Sequence, residues 1–186
     1  MDILKKIEGY KNNGKYVRLT RERGEFQDVA RGYIVGYSSD YLLLQTTDDF
    51  TLNGYSIFPV NTIIGLRHNK NDKFYDQIMK LEKLKEKVCI PFDINLLTWK
   101  NLFQTLKKNK QTVTIECEEP HLDYFCIGSL NQIGEKKIST FYFSPDGIID
   151  ATPTITEYVN ITKVSFGDRY ANILAQYVKP NKRIKL

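Results

Sequence analysis

Residues 160–174, "NITKVSFGDRYANIL", decide how this chain is read. Alternating apolar positions give a short strand, Gly167 and Asp168 break it, and Tyr170, Ile173 and Leu174 open an amphipathic helix. The earlier stretch 61–79, "NTIIGLRHNKNDKFYDQIM", follows the same order with a longer break. Two segments that end alike in one chain point to two copies of one unit.

Setting residue n beside residue n+96 extends the match. Ile3 and Ile7 fall on Trp99 and Phe103, Val17 and Leu19 on Val113 and Ile115, and Gly32 on Gly128. A period this long exceeds a solenoid repeat and indicates duplication of a small domain. Each half is expected to open with a helix, at 2–11 and 94–108. Five strands follow, at 15–22, 30–37, 41–47, 54–60 and 62–68, then at 111–118, 124–132, 136–143, 154–159 and 161–166. They are rich in Val, Ile, Tyr and Thr and separated by turn signals such as "YSSD" and "SPDG". A helix closes each half. Asp72 is the expected N-cap of the first, with a stripe of Phe74, Tyr75, Ile78, Met79, Leu81 and Leu84. In the second, the stripe of Tyr170, Ile173, Leu174, Tyr177 and Val178 follows Asp168, and Pro180 marks its stop. The linker is "EKVCIPFD", 86–93, giving domains at 1–88 and 92–179 and a basic tail at 180–186. Five short strands bury little as a flat sheet, so a mainly β fold of two small, strongly bent barrels is expected, with Gly32, Gly36 and Gly128 at the bends.

Composition is that of a globular chain, 41% hydrophobic and 26% charged. No apolar run approaches the ~18–20 residues that span a bilayer. The N-terminal segment lacks the apolar core of a secretory signal, and three cysteines at irregular spacing make no disulfide framework. The cytoplasm is therefore the expected compartment, with no membrane partner. The net charge of +5 is spread: residues 1–90 carry 15 basic against 12 acidic side chains and residues 91–186 carry 12 against 10. The tail "KPNKRIKL" alone contributes +4, so neither half has the concentrated basic character of a phosphate-binding fold.

A short helix followed by five bent strands, with a tight turn between strands four and five, resembles the Sm-like (LSm) fold, bacterial in style. "RGYIVGYSSDYLLLQTTDD" looks like that family's first motif, and "YSIFPVNTIIGLR" and "ITEYVNITKVSF" look like its second. The resemblance covers about 50–60 residues of each half and implies RNA contacts at the turns after strand two and between strands four and five. Tyr41, Asn61, Tyr158 and Asn160 stand there, tyrosines to stack on bases and asparagines to bond their edges. The family's Arg-Gly pair in the second turn is missing, and a rim tyrosine or a turn asparagine needs no RNA to explain it. The resemblance further implies pairing of strand four with strand five of a neighbour, within the tandem chain and between copies.

Other constellations carry less. Arg18, Arg21, Arg23 and Arg31 gather at the first hairpin, where Arg18 faces solvent beside Arg31, a pair placed to contact RNA phosphates. Glu22, Glu25 and Asp28 offset the charge, and a solvated mixed-charge hairpin is the other reading. Cys117, His121 and Cys126 match no common zinc spacing, and two buried thiols on a hairpin explain the cysteines. No phosphate loop, dinucleotide fingerprint or nucleophile elbow is present, so no cofactor and no enzymatic activity are expected. The expected role is a binding or self-assembly module acting through exposed sheet edges and turns. An RNA-binding module is the alternative, and a metal-dependent hydrolase centred on His121 a remote one.

Overall fold

The computed structural model describes residues 2–23, 26–118, 122 and 124–180. Helix α1 (Ile3–Asn12) leads into β1 (Tyr16–Arg23), β2 (Phe26–Tyr37), β3 (Tyr41–Asp48) and β4 (Thr51–Pro59). A single 3-10 turn, Val60–Thr62, connects to β5 (Ile63–Arg67), and α2 (Lys70–Leu81) closes the half. The second half repeats this order with α3 (Trp99–Lys108), β6 (Thr112–Cys117), β7 (Tyr124–Ile133) and β8 (Lys137–Tyr142). After a short β9 (Ile148–Ile149) come β10 (Thr154–Glu157), a 3-10 turn at Tyr158–Asn160, β11 (Lys163–Phe166) and α4 (Arg169–Tyr177). A two-residue strand β12 (Lys179–Pro180) runs parallel to β9.

One antiparallel sheet of ten strands carries both halves, in the order β10-β8-β7-β6-β11-β4-β3-β2-β1-β5. Within each half the first strand sits between the second and the fifth. The sheet of neither half closes on itself: β4 does not return to β5 but pairs with β11, with Ile57 opposite Val164, Ser56 opposite Ser165 and Tyr55 opposite Phe166. That leaves β10 and β5 as the sheet's outer edges.

The repeat extends to individual hydrogen bonds. The Asn13 side-chain amide donates to the Gly9 carbonyl (2.7 Å) as α1 ends, and the Asn109 amide donates to the Thr105 carbonyl (2.9 Å) as α3 ends. The next residues, Gly14 and Lys110, turn through left-handed backbone at φ 51° and 52°. Gly32 and Gly128 serve the same purpose in β2 and β7. A Cβ on Gly32 would stand 2.0 Å from the Gln45 carbonyl oxygen, and one on Gly128 would stand 1.9 Å from that of Phe141. Only a residue without a side chain lets the neighbouring strand approach this closely at the bend.

Two apolar interiors result. The first gathers Ile7, Val17, Leu19, Leu42, Leu44 and Phe58. The second gathers Trp99, Leu102, Phe103, Val113, Ile115 and Val164, and takes Leu43, Tyr55 and Ile57 from the first half. The run "YLLL", 41–44, is therefore covered on both faces, Leu42 and Leu44 by their own half and Leu43 by the other. Each such burial contributes about 1.5–3 kcal/mol, so the joint is part of the core. The linker is fastened to it: Tyr55 Oη donates to the Cys89 carbonyl (2.8 Å), and Cys89 N–H donates to Gln45 Oε1 (3.0 Å).

Several local expectations change. The N-cap of α2 is Asn69, whose side chain accepts from Asn71 and Asp72 N–H; Asp72 stands three residues in and accepts from Asn69 N–H, completing a capping box. In that helix only Met79 of the expected stripe is fully buried, under Tyr16 and Tyr33, while Phe74 and Leu81 are exposed. Residues 94–98 form no helix, and Thr98 caps α3, which starts at Trp99. Asp168 caps α4, accepting from Ala171 N–H (2.8 Å). Helix α4 ends at Tyr177, and Pro180 lies in β12. The tail from 181 onward, Glu25 and His121 lie outside the described residues.

Candidate functional site

The two 3-10 turns are held alike. Val60 N–H donates to the Asp40 carbonyl (2.8 Å), and Tyr158 N–H donates to the Lys136 carbonyl (2.9 Å). In each half the turn after strand two thus fixes the turn between strands four and five. The β4–β11 joint brings the two places together at one cleft of about 840 Å³, lined by Tyr41, Asn61, Trp99, Tyr158 and Val159. Tyr41 lies 4.6 Å from Trp99 between ring centroids, Trp99 stacks on Phe103 (5.9 Å), and Phe103 on Tyr158 (5.8 Å).

The cleft is a hydrogen-bonding aromatic surface with little charge. Burial, with help from Asp40, pushes the Tyr41 phenol up. Burial, then Glu135, pushes Tyr158 up to about 12. Both hydroxyls are therefore protonated at neutral pH, and that of Tyr158 donates to the Gly134 carbonyl (3.1 Å). Asp40 is the one charged residue among the described residues of the lining. Three expected binding residues, Tyr41, Asn61 and Tyr158, meet here. Asn160 does not: it lines a separate cavity with Cys117, Tyr124 and Thr156.

The arginines stand elsewhere. Arg31, Arg18 and Arg67 lie directly opposite one another across β2, β1 and β5 and so share a face of the sheet. Arg31 and Arg67 are exposed. Arg18, expected in solvent, is half-buried, and its Nε is enclosed without a hydrogen-bond partner among the described residues. Arg67 approaches Asp72 at 3.7 Å. Like charges in direct cross-strand register repel, so this row attracts anions.

Arg21 departs furthest from a solvated hairpin. It is fully buried at the joint. Its Nε and Nη2 donate to Asp28 Oδ2 (3.1 and 2.8 Å), and Nη2 also reaches Glu118 Oε1 (2.8 Å). Nη1 meets Glu118 Oε2 (2.6 Å) and donates to the Thr162 carbonyl (3.2 Å). The guanidinium carbon stands 5.1 Å over the Phe58 ring. Asp28 and Phe58 belong to the first half, Glu118 and Thr162 to the second, so one side chain ties the halves together. The signal was available: Val17, Leu19 and Arg21 alternate on one face of β1.

Cys117 and Cys126 are both buried. Burial, with Glu118 next, raises the Cys117 thiol to about 11, and burial raises that of Cys126. His68, the one histidine among the described residues, engages the Tyr16 carbonyl through Nδ1 (2.6 Å). No group of three or more metal-binding side chains occurs among the described residues, and no described helix is long and apolar enough to cross a membrane. Comparison with protein-family models, curated proteins and solved structures returned no match for this chain.

Proposed function

We propose that this chain is a non-catalytic assembly module of two tandem Sm-like small barrels that joins copies of itself edge to edge. One observation carries the reading: the internal joint pairs the fourth strand of one half with the fifth strand of the other. The strands left at the outer edges, β10 and β5, are the fourth and fifth strands of their own halves. A joint that works inside the chain is thus available once more between chains. Ile155 on β10 and Ile64 on β5 are 60% and 50% exposed, although both are β-branched and apolar. Unpaired strand edges of this kind seek partners. The contact is head to tail, and whether it closes depends on the rotation per joint.

Light scattering over a wide concentration range tests this. The expected mass rises from 21.7 kDa in steps of one chain. A mass fixed at the monomer up to high micromolar concentration removes the reading.

The arginine row favours a second reading, RNA binding, with phosphates on Arg18, Arg31 and Arg67 and bases in the aromatic cleft. Such binding weakens steeply with salt. Mixed-sequence RNA is the probe; no association at ~50 mM salt, where phosphate contacts are strongest, removes this reading.

A further inference from the structure

The cavity beside β10 has a counterpart at the internal joint. It measures about 360 Å³ and is lined by Cys117, Leu122, Tyr124, Ile155, Thr156 and Asn160, together with Glu157. The β1–β2 ladder sets Arg21 opposite Asp28, and the β6–β7 ladder sets Cys117 opposite Tyr124. With Gly32 matched to Gly128, Arg21 corresponds to Cys117 and Asp28 to Tyr124. The 3-10 turns match Phe58 to Thr156 in the same way. The group of Arg21, Asp28 and Phe58 in one half is thus Cys117, Tyr124 and Thr156 in the other.

The first group is occupied. Glu118 and the Thr162 carbonyl come to it from across the joint, and Arg21 donates to both. The second group has hydroxyls and no acceptor from across a joint. Thr156 is 5% exposed, and neither its Oγ1 nor Tyr124 Oη makes a full hydrogen bond among the described residues. Tyr124 Oη lies beside Cys126, Thr156 and Thr154, close enough for hydrogen-bonding interaction with each to bear on its ionisation, although none of these contacts has the geometry of a full hydrogen bond. An enclosed hydroxyl without a partner costs about 1–3 kcal/mol, so two in one cavity mark a surface built for an incoming acceptor.

Extending the same correspondence to a second copy identifies that acceptor. Across a β10–β5 joint with the internal register, Leu66 stands opposite Ile155 as Val164 stands opposite Ile57. Glu118 then corresponds to Glu22, and Thr162 to Ile64. Glu22 is exposed on β1, and Ile64 is half-exposed on β5. We infer that the cavity beside β10 is a socket for the start of β5 of a second copy, where Tyr124 and Thr156 donate to the Glu22 carboxylate and the Ile64 carbonyl while the Ile64 side chain covers Leu122 and Ile155. The inference rests on the assembly reading and names its partner site. The inner joint is held by a buried cation; this outer one is held by neutral hydroxyls and apolar contact. Glu157, also in the lining, carries the same charge as Glu22 and opposes its approach; it is exposed, so water and salt screen that repulsion.

The test uses the full chain. Ile64→Lys spoils one edge and Ile155→Lys the other, so each variant alone is expected to remain monomeric. An equimolar mixture keeps one intact edge of each kind and is expected to form a species of two chains. Tyr124→Phe and Thr156→Val, which remove only hydroxyls, are each expected to weaken wild-type association about 3–10-fold. Unchanged unfolding midpoints of the separate chains show that folding is intact. Wild-type protein that stays monomeric overturns the assembly reading and this inference together. Wild-type protein that assembles while the two hydroxyl variants associate undiminished, or while the lysine variants fail to combine, overturns this inference and leaves the assembly reading standing.

Discussion

Replacing Arg21 by methionine keeps the apolar stem of the side chain but removes the guanidinium, and with it the cover over Phe58. Glu118, whose side chain is 8% exposed, then loses its buried counter-charge, and Asp28 loses two charged hydrogen bonds. Removing one partner of a buried pair costs about 3–5 kcal/mol. Arg21 serves two carboxylates and a carbonyl, so the expected loss lies in that range. The single tryptophan, Trp99, packs on Tyr41 in the second interior, and its fluorescence reports the joint directly. With a urea dependence of about 2 kcal/mol per molar, the unfolding midpoint should fall by about 1.5–2.5 M. A second substitution, Glu118→Gln, should recover part of the loss, because it removes the carboxylate charge that Arg21 balanced. A change below about 1 kcal/mol for Arg21→Met, or a double variant as unstable as the sum of the two singles, would refute the reasoning.

Three further outcomes follow from local geometry. Gly32→Ala and Gly128→Ala each force a Cβ into a carbonyl oxygen, and both should cost about 3 kcal/mol or more in urea unfolding, in the tail of single-residue effects. Burial raises the Glu116 carboxyl above its ordinary value, against the opposing pull of Lys163 (2.8 Å). The folded state therefore holds that proton more tightly than the unfolded one. Its contribution is fully present below the ordinary carboxylate value and is lost as pH rises through the raised folded value. Glu116→Gln should flatten this limb of the stability profile; an unchanged limb would assign it to other groups. A thiol reagent at pH 8 should modify Cys89, which is exposed, and reach Cys117 and Cys126 only on unfolding.

Much of the order of elements was legible because strands and helices leave different periods, and the turns carry Gly, Asn and Asp where the backbone needs them. The offset between halves could be read because the same bends require Gly32 and Gly128. The joint was less visible. Alternation in "YVRLTRER" put Arg21 on the inner face, but a charged residue is read as solvated unless a partner is known, and Glu118 lies 97 residues away. The unbroken run "YLLL" marked a strand covered on both faces, which only the pairing of β4 with β11 explains. The cleft was half legible: its turn residues were named, whereas Trp99 reads as an ordinary apolar helix position. Strands β9 and β12 are two residues each, too short to leave a period.

Backbone amide hydrogen exchange tests most directly that the halves are joined edge to edge and leave a second, equivalent pair of edges. Amides of 55–57 and 164–166 should be protected to the limit of global unfolding at every protein concentration, whereas the outward amides of 63–67 and 154–157 should exchange quickly when dilute and slow as chains associate. Rapid exchange at 55–57 and 164–166, or edge amides whose rates ignore concentration, would contradict the account.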